Sequence, residues 1–382
     1  MAPTATIAQT VPVATLKATS LPDAPFGATI QMPEGVTDPS KLSDADFKVL
    51  FKALHENLVI VIPGQKELSP ESQHLLTKRF DPTTEGNYGH SREFRHEKSV
   101  LKKDGKSVPR VPQVQILGQG TFQDHEGLDE VSLTHPIHDT FHKEILSQSK
   151  QDAGYTKFYR WHIDSALYGL SPPVCTTLLG IHVPNAANER QKILYEDSNE
   201  EIEIAQGATC FMSGARAFEL LSEEDKKQAL GTTVVYAPHP YIYISEAKAT
   251  WDGISMHSEG KELSFDDLPE WETEKIKRLP LVWTNPVTGK HHLQAHGCCV
   301  WKLERENGEV LELEQARKEL RRVLRPAISP KEILAFSWEA GDLVIFYNRG
   351  VLHSVTGHFA EGQKRLMHQC NIASGQDPIC KV

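Results

Sequence analysis

Tyr159–Asp164 reads YRWHID, and Trp338–His353 reads WEAGDLVIFYNRGVLH. The first stretch has strand character, and side chains two apart on a strand leave the same face, so His162 and Asp164 can meet one ion. An imidazole and a carboxylate are two of the three ligands of a facial triad, whose other positions stay open to a co-substrate and O2. Alone, that pair is a weak signal. The second stretch holds a turn at Gly341 and Asp342, a buried strand over Leu343–Tyr347, a second turn over Asn348–Gly350, and then His353 at the start of a strand. Arg365 follows twelve positions later. A centre with two histidines and one carboxylate that binds a dicarboxylate needs a fixed cation for the distal carboxylate, and arginine grips it with two parallel N–H donors.

Outward from these stretches, Ser43 ahead of Asp46, Phe47, Leu50, Phe51 and Leu54 predicts a capped amphipathic helix over 43–56. Leu58–Ile62 (LVIVI) reads as a buried strand ended by Pro63 and Gly64. Ser69 and Pro70 open another helix, with proline where its missing N–H is harmless. Ser222 with the acidic run behind it starts a third, and 314–324 is helical by pattern until Pro326. Short strand-like runs fall at 159–164, 175–183, 232–236, 343–347 and 365–372. Many short strands with few helices predict a mainly β fold with flanking helices, a sandwich or jelly roll. The chain is read as a flexible tail over 1–21 and one domain over 22–382. Insertions lie near 83–106, a polar and basic loop, and 184–206, acidic and irregular.

The chain of 382 residues is 39% hydrophobic and 24% charged, with a formal net charge of -10. That composition suits a globular protein with a sizeable core and argues against the broad basic footprint of a nucleic-acid binder. No apolar run approaches the roughly 18 residues of a membrane span, and the start lacks a secretory pattern, so a cytoplasmic address is expected. The sequence leaves a homo-oligomer open. Cysteines at 175, 210, 298, 299, 370 and 380 form no CxxC pair and are read as reduced thiols. His296 with Cys298 and Cys299 is set aside as a soft metal site, because adjacent cysteines rarely both reach one ion.

HxD followed by a distant histidine and an arginine at this spacing resembles the taurine dioxygenase family of iron(II)/2-oxoglutarate enzymes. The likeness extends, in the same order, to 25–28 (PFGA), the 43–56 helix, LVIVI, Ser69–Pro70, 207–213 (GATCFMS), 280–289 (PLVWTNPVTG) and 364–368 (KRLMH). The resemblance implies a distorted double-stranded β-helix, or jelly roll, using Fe(II), 2-oxoglutarate and O2. It implies His162, Asp164 and His353 as metal ligands, Thr209 as a hydroxyl contacting 2-oxoglutarate, and Arg365 as the salt-bridge partner of that co-substrate. Succinate and CO2 are then products beside a hydroxylated substrate.

The small-molecule substrate is read from a departure. Family members that take sulfonates carry an arginine four positions after the 2-oxoglutarate arginine, where this chain has Gln369. On an extended strand Arg365, Gln369 and Asn371 share a face, and four residues span roughly 13 Å. Two amides offer donors and acceptors side by side, which suits a heterocycle edge but equally a sugar, an amide or a peptide. Gln369-Cys370-Asn371 together with WHID resembles the fungal branch of the family that hydroxylates xanthine to uric acid, and this implies a purine. Gln113 and Gln115, two apart in a strand-like run, are further candidates for facing it. His135, His138 and His142 are read as solvated on a polar loop rather than lining the pocket, and His291, His292 and His296 as surface residues. Against the purine stand the same chemistry on a sulfonate, sulfate ester, carboxylate or amide, and a non-catalytic jelly-roll binding protein.

Overall fold

The structure, a computed structural model, describes residues 14–84, 86, 96–101 and 105–381. Part of the 1–21 segment (1–13) and part of the 83–106 segment (85, 87–95 and 102–104) lie outside them.

A nine-stranded sheet carries most of the architecture. Its order is Lys17–Ser20, Ala28–Gln31, Val59–Ile62, Leu343–Phe346, Thr176–His182, Arg365–Asn371, Val111–His125, Lys106–Val108, with Leu128–Leu133 paired to Val111–His125. Every pair is antiparallel except Ala28–Gln31 with Val59–Ile62. A second, antiparallel sheet sets Thr209–Ser213 between Ile333–Phe336 and Val351–Val355. Strand alternation makes Thr209–Ser213 a wall shared by two cores. Phe211 points to the large sheet, its ring 5.3 Å from Phe346, while Cys210 and Met212 point away into a core shared with Val234, Val300 and the helix Leu313–Leu324. The two sheets face each other as an open, distorted jelly roll.

Local chemistry accounts for the helices. Ser43 Oγ accepts from the Asp46 N–H at 3.1 Å and caps Asp44–Asn57. Leu58 then takes φ 66 and turns the chain directly from helix into strand, its N–H still donating to Leu54 O. Ser69 caps Pro70–Arg79 and Ser222 caps Glu223–Leu230 in the same way. Among the described residues no helix is long and apolar enough to cross a membrane.

Four expectations need correction. Part of the 1–21 tail is ordered: Lys17–Ser20 is a strand, and Asp46 Oδ1 accepts from the Thr15 and Leu16 N–H groups at 2.7 and 3.0 Å. The 184–206 segment is not irregular but a hairpin, Arg190–Leu194 with Glu201–Ala205, whose alternation buries Ile193 and Ile204. Tyr159–Asp164 is extended but belongs to no strand ladder, touching one by the isolated bridge between His162 and His353. His353 itself lies in the middle of Val351–Val355 rather than at its start. In the 83–106 loop, the described residues before Lys106 hold neither helix nor strand.

Candidate active site

Reciprocal backbone bonds of 2.9 Å join His162 and His353 and bring their rings to a centroid distance of 4.0 Å. Asn348, from the turn after Leu343–Phe346, fixes the third residue: its Oδ1 accepts from the Asp164 N–H at 2.8 Å, and its Nδ2 donates to Asp164 O at 2.9 Å. The Asp164 carboxylate is then oriented on one oxygen. Thr176 Oγ1 and Gln369 Nε2 donate to Oδ2 at 2.7 and 3.2 Å. Oδ1 is left 3.8 Å from His162 Nε2 and 3.6 Å from His353 Nε2. The three ligand atoms lie within 4.8 Å of one another, and among the described residues no other histidine, cysteine or carboxylate cluster meets that condition.

The three side chains could hold a cation. His162 Nδ1 donates to Arg160 O at 2.9 Å, which fixes the tautomer and leaves the Nε2 lone pair facing Asp164. His353 is wedged against Phe346, centroids 4.6 Å apart. Burial pushes the His353 imidazole down to about 3 and His162 well below its ordinary value, so both rings are neutral at physiological pH, the form that could ligate a cation.

Thr209 and Arg365 mark a line leading away from the triad. Phe211 is the cross-strand partner of His353, and Thr209 lies two residues along the same face. Trp338 Nε1 donates to Thr209 Oγ1 at 3.1 Å, leaving the threonine hydrogen to donate to something else. Gly207, at φ +71, comes next: a Cβ there would stand 3.6 Å from Arg365 Cδ and Nε and 3.1 Å from Phe359. Glycine therefore leaves room beside the guanidinium. Arg365 is buried, its Nε has no partner, and among the described residues no carboxylate lies in ion-pair reach. Burial alone lowers its pKa to about 10. A buried cation without an anion is costly, and a dicarboxylate would relieve it.

The amides fall beside the triad. Gln369 lies directly across from Gln115 on the neighbouring strand, so both leave one face, which Gln113 shares by its spacing and where it is half-buried. One amide hydrogen of Gln369 is engaged by Asp164. Asn371 is the cross-strand partner of Thr176, is fully buried, and has no partner for either Oδ1 or Nδ2.

Several histidines differ from expectation. His135, His138 and His142 are buried rather than solvated. His135 Nε2 faces Thr356 O at 3.1 Å, and His142 Nε2 faces Tyr159 O at 2.8 Å, so both brace backbone around the site. His292 and His296 are fully buried as well, and only His291 keeps partial exposure. His292 Nδ1 faces Gly350 O at 3.2 Å. His296 stands beside His162, centroids 6.1 Å apart. Asn348 and Thr176 were missed by sequence reasoning, and His296, buried here, was read as a surface residue. A turn asparagine, a strand threonine and a histidine before glycine carry no local signal of a site.

Residues 17–371 match the family described as taurine catabolism dioxygenase TauD, TfdA family. The chain is 45% identical over 359 residues to an alpha-ketoglutarate-dependent xanthine dioxygenase of Emericella nidulans, covering 93% of this chain and 96% of that protein. A Schizosaccharomyces pombe protein of the same description is 44% identical over 364 residues, covering 93% and 86%. A solved taurine dioxygenase from Burkholderia xenovorans superposes with a TM-score of 0.56 at 17% identity, covering 96% of this chain and 91% of its own, a likeness of fold alone.

Proposed function

The chain belongs to the TauD, TfdA family of dioxygenases, and from that premise we propose that it is an Fe(II)- and 2-oxoglutarate-dependent dioxygenase that hydroxylates xanthine to uric acid, releasing succinate and CO2. The observation that carries the chemistry is the pairing of two features in one fold. His162, Asp164 and His353 converge their ligand atoms, and the strand face running from His353 past Thr209 leads to an unpaired, buried Arg365. A binding module has no use for both. The substrate is taken from the relatives at 44 and 45% identity.

The donor set fits Fe(II), since two imidazoles and one carboxylate leave positions open for other ligands. Bound there, the iron supplies the O2 activation that 2-oxoglutarate decarboxylation drives. The chain's own residues do the rest. Arg365 takes the distal carboxylate of 2-oxoglutarate with parallel N–H donors, and Thr209 donates its hydroxyl hydrogen toward the same molecule. Thr176 and Gln369 hold Asp164 so that one oxygen alone faces the metal. Asn371, with Gln369, Gln115 and Gln113, offers amides to the purine edge, whose ring carries both C=O and N–H groups. Phe211 and Phe346 keep water from the His353 side of the centre.

The test is reconstitution with Fe(II) and 2-oxoglutarate under argon, then admission of O2 with xanthine while urate absorbance and succinate are followed together. Equal yields of both support the proposal. Succinate without urate rejects the purine, and neither product rejects the metal assignment.

A further inference from the structure

Resting on the xanthine reading, we propose that His296 is a substrate-contacting residue that hydrogen-bonds the N–H/C=O edge of the purine beside the metal centre. His296 is fully buried, and neither Nδ1 nor Nε2 has a hydrogen-bond partner. Idle polar atoms on a buried ring are costly, and histidines placed for packing alone normally find a carbonyl, as His142 and His292 do here. His296 instead faces the site, its ring centroid 6.1 Å from that of the metal ligand His162.

The ring is also held in place. Its backbone N–H donates to Tyr236 Oη at 3.2 Å, and its carbonyl accepts from the Cys299 N–H at 3.0 Å. The Tyr241 ring packs edge-on at 5.8 Å. At Gly297 a Cβ would stand 2.3 Å from Ile254 O, so the turn following the histidine admits glycine only. Two residues before it, Gln294 Nε2 donates to Asn348 O and Val351 O at 3.2 and 3.1 Å, tying this segment to the turn that positions Asp164. An imidazole on so rigid a mount, with a donor on one nitrogen and an acceptor on the other, selects a ligand by hydrogen bonding rather than by adapting to it. Because the two nitrogens point apart, one purine group takes one of them.

Xanthine binding is measured by calorimetry under argon on the wild-type protein loaded with Fe(II) and 2-oxoglutarate, and on His296→Ala, His296→Gln and His296→Asn loaded alike. The expected result is a rise of roughly 10- to 100-fold in the xanthine Kd for His296→Ala, the effect of losing one buried hydrogen bond. Iron and 2-oxoglutarate affinities stay unchanged, and one of the two amide variants recovers most of the loss, glutamine if Nε2 makes the contact and asparagine if Nδ1 does. Should the alanine variant not fold, the amide pair decides: unequal xanthine affinities support the contact, and equal, wild-type affinities overturn it. The inference is also overturned if His296→Ala binds xanthine as the wild type does, or if it loses iron as severely as xanthine. A wild-type protein that binds no xanthine rejects the function proposed above, and the inference falls with it.

Discussion

Replacing Arg365 with methionine is expected to stabilise the protein in the absence of 2-oxoglutarate while abolishing its grip on that co-substrate. Burial lowers the guanidinium from its ordinary value to about 10, which disfavours the charged form in the fold by about 3 kcal/mol. The sign follows from proton binding. Above about pH 10 and below the ordinary guanidinium value, the unfolded chain holds a proton that the folded chain has released, so stability rises with pH across that window, and at neutral pH the unpaired cation weakens the fold. Methionine fills a similar length without the charge, and part of the cost returns as stability, about 1–3 kcal/mol. For a chain of this size that corresponds to a melting temperature higher by roughly 1–4 °C. The affinity for 2-oxoglutarate moves the other way: a carboxylate brought into this buried site without its partner forfeits about 3–5 kcal/mol, more than a hundredfold in Kd. Thermal melts with and without 2-oxoglutarate, under argon with Fe(II), read both effects at once. A variant that melts below the wild type without ligand, or that loses iron and 2-oxoglutarate affinity equally, refutes the assignment of Arg365 as a cation waiting for its anion.

Thr176→Val keeps the shape of the strand but removes the 2.7 Å bond to Asp164 Oδ2, and iron affinity measured by competition with a chelator should fall roughly 10- to 100-fold. Gln206 Nε2 donates to His358 O at 2.6 Å and to Gln363 Oε1 at 2.7 Å, clasping the loop that carries Phe359 against Gly207. Gln206→Ala should raise the KM for 2-oxoglutarate several-fold without changing that for xanthine, and a reverse pattern contradicts the clasp. Acid should destabilise the protein early, because burial holds His135, His142 and His368 at about 3 and His292 at about 4. These folded values lie below the unfolded one, so the stability is present above about pH 6.5 and is lost as pH falls toward them, by about 1.4 kcal/mol per histidine one unit down. Denaturant titrations at neutral pH and one to two units lower would contradict this if their midpoints coincide.

What could be read from the sequence followed how narrowly chemistry restricts the choice of residue. His162, Asp164 and His353, which the fold does bring together, and Arg365, which it buries without a partner, stand out in the sequence because few side chains suit the divalent cation and buried carboxylate proposed for them, so type and spacing together are informative. The capped helices are legible for the same reason, since Ser43, Ser69 and Ser222 each sit where an orphan N–H needs an acceptor. The hairpin over 190–205 was missed although its alternation was present. Its buried residues, Gln191, Ile193, Ile204 and Ala205, are few and mixed in type, and the charged residues between them disguise a strand with one face exposed. Burial of the histidines was not legible at all. His292 is satisfied by Gly350 O, far along the chain, and no local pattern announces a partner supplied by another element.

The irregularity of Tyr159–Asp164 is itself what lets His162, Asp164 and His353 converge. In a regular ladder one neighbouring strand would take every second N–H, and the segment would follow that strand's twist. Here the N–H of Tyr159 goes to Val355 O, that of Trp161 to Gly253 O, that of His162 to His353 O, and that of Asp164 to the Asn348 side chain. Three separate parts of the chain, the Val351–Val355 strand, Gly253 and the turn at Asn348, therefore set the backbone of this short segment, and His162 is bonded to the very residue beside which its ring stands. The last of these acceptors is a side chain, which a mutation can remove without breaking any strand. Asn348 thus governs where Asp164 stands relative to both imidazoles, although its place in a turn before glycine gives it, in the sequence, the look of punctuation.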